Sequence, residues 1–164
     1  MKDKLTLLFA SLALITYIYL GPSVPKIQKG IDPKIQPYVT KFEQEGKKQL
    51  GNCYKIPSIN IGVGDARFVD PFSNGELRVI GLCNYLTGDM LIDPYLFSLN
   101  LTAVEEVVFH ELGHCVLKRL HIEEMITKDV PLSLMYPIMV SEEVYMGYRG
   151  YYMMELFSHI SLCK

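Results

Sequence analysis

His110 and His114 stand four residues apart in the stretch Val107 to His121, which reads V-V-F-H-E-L-G-H-C-V-L-K-R-L-H. On a helix that spacing sets two side chains about 40° apart around the axis and about 6 Å apart along it, on one face. Two imidazoles so placed can share one metal ion. Glu111 follows the first of them and points roughly 100° away, so its carboxylate would meet water on the metal and would not ligate the metal. Two nitrogen ligands beside a carboxylate base are the working parts of a zinc hydrolase. The chain holds 4 histidines, and two of them frame a glutamate inside an apolar run, which weighs against ordinary core or surface histidines.

A catalytic zinc site takes three protein ligands and leaves the fourth position to water. His121 is the nearest candidate for the third. In an unbroken helix it would sit about 10 Å along the axis from His114, too far to share a metal bound at about 2 Å, so the chain must leave the helix and fold back. The helical wheel agrees. Val104, Val107, Val108, Leu112, Cys115 and Val116 form one broad apolar face, and a continued helix would carry Arg119 into it, where an unpaired charge is costly. The helix is therefore expected to end near Leu117 or Lys118. Glu142 or Glu143 on a later helix, and His159, are the other candidates for a third ligand.

The elements that must position these residues are also legible. Thr102 with Glu105 three residues on predicts a capping box at the start of the His-bearing helix, a role that explains Thr102 better than the glycosylation sequon Asn100-Leu101-Thr102. Upstream, Tyr38, Val39 and Phe42 among polar residues predict an amphipathic helix from about Gln36 to Gly51, stopped by Gly51 and Asn52. Alternation over Ser58 to Val63 predicts a strand. Leu77 to Leu86 and Met90 to Ile92 predict two more, joined by a turn at Thr87-Gly88-Asp89. Downstream, Ser141 is placed to cap a helix running to about His159, with Val144, Tyr145, Tyr148, Tyr152 and Leu156 inside and Gly147 and Gly150 permitting close approach to the sheet. This order implies an α+β domain: a short twisted sheet packed on the His-bearing helix, then a C-terminal helix.

With 164 residues, a formal charge of -2 and a pI near 6.1, the chain has one domain's worth of core and no electrostatic footprint for nucleic acid. Its 49% apolar content is concentrated at the start, where Leu5 to Leu20 carries no charge. Residues 1–21 read as a signal anchor or signal peptide. The anchor is preferred because no A-x-A site follows. Residues 22–35, with Pro22, Pro25, Gly30 and Pro33, read as a linker, and 36–164 as the catalytic domain. Either targeting reading places the domain outside the cytoplasm: membrane-anchored through the N-terminal segment, or secreted or periplasmic after cleavage. Cys53, Cys83, Cys115 and Cys163 suit disulfides in that compartment and allow three pairings. Cys115 falls opposite the histidines, as a core thiol or half of a disulfide. Nothing in the sequence sets an oligomeric state.

His110-Glu111-Leu112-Gly113-His114, then His121, then Ser133-Leu134-Met135-Tyr136-Pro137 resembles the metzincin metalloproteases, with L-M-Y-P most similar to the matrixin Met-turn. The H-E-L-G-H-C run with a downstream histidine also resembles small bacterial envelope proteins. The resemblance implies a zincin-like domain and a Zn²⁺-dependent endopeptidase, with a peptide or protein as substrate. In it His110, His114 and His121 would be ligands, Glu111 the general base, and Met135 the residue beneath the metal. Substrate would lie extended beside the strand around Arg78 to Cys83, and Pro131 to Val140 would wall the pocket for the residue after the cut. The family's turn glycine corresponds to Leu117 here, and the third histidine comes one residue late, an extra residue that would supply the slack glycine normally provides. Two alternatives stand beside this reading. One is a zincin whose third ligand is Glu142 or Glu143. The other is a non-catalytic, membrane-anchored binding protein with a relict zinc site, against which stands Glu111, since a structural site has no need of a base.

Overall fold

The computed structural model describes residues 27–66, 79–158 and 160–161. The proposed N-terminal anchor, Arg78, His159 and Cys163 lie outside the described residues. Helix α1 (Gln36–Leu50) has a proline in its first turn and closes at Gly51, whose φ of 110° is left-handed and whose N–H returns to the Lys47 carbonyl. Val39, Phe42 and Leu50 form its buried stripe. The Tyr54 ring lies across Gly46, within 2.2 Å of where a Cβ would stand, so only glycine lets the next segment pack there.

Three short strands make the main sheet: β1 (Ile61–Val63), β2 (Gly81–Cys83) and β3 (Met90–Ile92), in the order β1-β3-β2. β1 runs parallel to β3, with Ile61 opposite Met90. β2 runs antiparallel to β3, with Leu82 opposite Leu91. Between these two, Gly88 takes φ 76° and the Asn84 side chain accepts from the N–H groups of Leu86 and Thr87, which makes the expected reversal. β3 is buried along its whole length.

The segment expected as a linker belongs to the domain from residue 27 onward. Ile31 bridges to Ile61 on the outer side of β1, and Ile35 is fully buried. Asp32 accepts from the Lys34 N–H, which turns the chain into α1. Pro33, one of the prolines that suggested a spacer, stiffens this turn instead.

Helix α2 (Leu101–Cys115) is the central element and is buried on nearly every side. The sheet covers one flank, while α1 and the C-terminal helix α3 (Glu142–Phe157) cover others. Phe42 of α1 meets Phe109 of α2 edge-on at 5.2 Å and Phe157 of α3 at 5.0 Å, tying the three helices together. A small hairpin of β4 (Met125–Thr127) and β5 (Val130–Pro131) joins α2 to the turn before α3. The fold is α+β, as the order of elements implied.

Cys83 pairs with Cys115, fastening β2 to the end of α2 across 32 residues; the chain-entropy relation gives such a loop about 3.7 kcal/mol. Cys53 is disulfide-bonded too. Ser141 caps α3 by accepting from the Val144 N–H, with Glu142 and Glu143 in the first turn. Tyr145, Tyr152, Met153, Leu156 and Phe157 are its buried side. Gly147 and Gly150 have nothing within 4 Å of a notional Cβ, so they do not serve a close approach to the sheet. No helix among the described residues is long and apolar enough to cross a membrane.

Candidate metal centre

Helix α2 is capped two residues before the expected cap, at Asn100. Asn100 accepts from the Ala103 N–H at 2.7 Å, while the Thr102 hydroxyl donates to Glu142. Glu105, expected to complete a box with Thr102, instead binds Lys41, Arg149 and the Tyr145 hydroxyl. An Asn is as good a cap as a Thr, and tertiary partners decided between them.

The helix ends where the charge argument required. Cys115 is its last residue, Val116 its cap, and Lys118 reverses the chain with φ 57°. The Arg119 N–H then returns to the Gly113 carbonyl at 3.0 Å. Arg119 is buried but not unpaired: its guanidinium donates to the Glu155 and Leu156 carbonyls at 3.0 and 2.8 Å and forms an ion pair with the Glu155 carboxylate. Glu155 also accepts from Ser133, whose hydroxyl oxygen accepts from the Met135 N–H at 3.0 Å. One carboxylate of α3 thus braces both the segment that carries His121 and the turn that carries Met135.

This reversal brings His121 against the two helical histidines. The three Nε2 atoms form a triangle with sides of 3.0, 3.0 and 3.2 Å. The His110 Nδ1 faces the Leu134 carbonyl at 2.8 Å, and the His114 Nδ1 faces the Arg119 carbonyl at 2.7 Å. A carbonyl only accepts, so both Nδ1 atoms carry the proton and both Nε2 atoms present bare lone pairs. Burial lowers the His110 pKa to about 4 and also lowers that of His114, so neither ring gains a second proton at neutral pH. Two lone pairs aimed at each other across 3.0 Å repel, and His121 has one proton to offer at most. A cation resolves the conflict. Zinc would be held by these three nitrogens, with its remaining position left to water. Donor set, tautomers and spacing therefore fit zinc, and these three residues are the group among the described residues able to hold a metal.

Glu111 lies beside them, buried against β2: a Cβ on Gly81 would come within 2.7 Å of its Cγ and 2.8 Å of its Oε1. Burial raises its pKa to about 8. Met135 is fully buried under α2, its sulfur 2.5 Å from where a Cβ on Gly113 would stand. Glu142 is held by Asn100 and Thr102 at the opposite end of α2 from His114, and Glu143 is exposed. Neither is brought to the imidazoles.

Sequence reasoning missed three contributors. Tyr85 places its hydroxyl 2.5 Å from the His114 Nδ1 and donates to the Arg119 carbonyl at 3.0 Å; as one aromatic within an expected strand it carried no motif. Glu155 lay in a helix read only for its apolar side. Glu106 was one more acidic residue near a helix start. No protein-family model, curated protein or solved structure matches the chain.

Proposed function

We propose that the protein is a zinc-dependent endopeptidase of metzincin-like, zincin-like architecture. His110, His114 and His121 are its metal ligands and Glu111 is its general base. The observation that carries this reading is the triangle of Nε2 atoms, two of them held in the ligand tautomer by backbone carbonyls. Zinc bound there supplies Lewis acidity, lowering the pKa of water towards 7 and polarising a carbonyl.

The remaining steps belong to the chain's own residues. Glu111 takes a proton from the attacking water and delivers it to the leaving amine. β2 borders the sheet beside α2, and an extended peptide added to that edge would lie across the site. Tyr85 and the Arg119 carbonyl orient His114, as outer hydrogen bonds do for metal-bound imidazoles. The Cys83–Cys115 disulfide supports a location outside the cytoplasm, with residues 1–21 as the proposed membrane anchor.

Zinc content of wild type, His121→Ala and Glu111→Gln, together with cleavage of an unstructured protein, tests the reading. About one zinc per chain in wild type and in Glu111→Gln, with cleavage in wild type alone, is expected. Equal zinc in wild type and His121→Ala would remove His121 as a ligand. Zinc without cleavage in wild type would favour a binding protein.

A further inference from the structure

One turn before His110 on the same face of α2, Glu106 stands beside a cavity of about 160 Å³. Leu99, Ala103, Met139 and Val140 give it apolar walls, and Glu142 stands with them in the lining. Glu106 is more than nine-tenths buried, with 6% of its surface exposed. One carboxylate oxygen accepts from the Val140 N–H at 2.8 Å, and the other has no hydrogen-bond partner among the described residues. Among the described residues no lysine, arginine or histidine pairs with it. Glu142 is held by two neutral donors, Asn100 and Thr102, so among the described residues the lining has two carboxylates and no cation. The adjacent Glu105 shows the contrast, since Lys41 and Arg149 both neutralise it. A cavity with apolar walls and an unpaired carboxylate in its lining matches a long aliphatic stem with a cationic head. At about 30 Å³ per water-sized group the volume admits about five heavy atoms, the size of a lysine side chain.

We propose that this cavity receives the side chain next to the scissile bond and that Glu106 selects a basic residue, lysine above all, at that position. The inference rests on the peptidase reading and names its substrate class: peptides cut beside a cationic residue. Lysine would place its ammonium on the free oxygen of Glu106 and its methylenes along Ala103, Met139 and Val140. Norleucine, with the same stem and no charge, would leave the carboxylate unpaired.

Two measurements on the full chain separate this proposal from the reading beneath it. The first compares kcat/KM of the zinc-loaded protein on paired peptides with lysine or norleucine at each position flanking the cut, in wild type and Glu106→Gln. The second measures binding of the same peptides to Glu111→Gln and to Glu111→Gln/Glu106→Gln by fluorescence anisotropy, without turnover. A lysine preference of about tenfold or more in wild type, collapsing towards one in Glu106→Gln while zinc content is kept, is expected. Cleavage with no basic preference, or a preference that survives Glu106→Gln, overturns the cavity assignment and leaves the peptidase reading intact. Absent cleavage with Glu106-dependent lysine binding sinks the peptidase and upholds the cavity. Equal binding of lysine and norleucine peptides overturns the cavity independently of catalysis.

Discussion

At the scale of single residues the site is built from departures from the ordinary. Lys118 adopts a left-handed φ of 57° that side chains take at a cost. Lys118→Gly should therefore raise stability by up to about 1 kcal/mol, less the added freedom of the unfolded chain, and urea unfolding of both proteins would show it. Gly81 leaves room for Glu111. Gly81→Ala should push that carboxylate aside, cutting kcat by about ten- to a hundredfold with zinc content unchanged; equal kcat would mean that Glu111 tolerates displacement. Glu106 carries a pH signature. Burial raises its pKa from 4.5 to about 7 against one backbone donor, Val140, with Tyr145 and Tyr152 of α3 feeling its charge. The folded state thus holds the proton more tightly than the unfolded one between pH 4.5 and 7, and stability falls as pH rises through that window. The penalty is absent below it and on the order of 3 kcal/mol above it. Glu106→Gln, which still accepts from Val140, should match wild type near pH 4.5 and exceed it in urea midpoint at pH 8.

At the scale of elements, the reversal after α2 is held from a distance. Its anchor is α3, through Arg119, Glu155 and Ser133. Removing one partner of a buried ion pair leaves a charge without compensation and costs about 3–5 kcal/mol. Arg119→Met should lower both the unfolding midpoint and zinc affinity, the latter by about ten- to a hundredfold as His121 and the Arg119 carbonyl lose their fixed places. Unchanged zinc affinity would show that the metal alone orders the segment. The Asn100 cap was a near miss: Thr102 and Asn100 are both competent caps, and the choice was made by Glu142, which reaches Thr102 from the start of α3.

At the scale of the whole molecule, metal and fold should be coupled. Three imidazoles drawn from a helix and a returning loop gather only in the native chain, so zinc binding should stabilise folding by mass action. Chelation should lower Tm by several degrees, and zinc at a hundred times its Kd should restore about 2.7 kcal/mol; a Tm indifferent to chelator would argue against a native zinc site. Much of this was legible beforehand. The i, i+4 histidines, the glutamate between them and the helix stop before Arg119 are local patterns, and local patterns survive in a sequence because helical periodicity alone sets their geometry; Met135 was marked only by the resemblance. The pairing of Cys83 with Cys115, the incorporation of residues 27–35, the partner of Arg119, the role of Tyr85 and the solitary carboxylate of Glu106 were not legible. Each depends on which distant residue arrives opposite, and that is settled only when the helices and sheet close around α2.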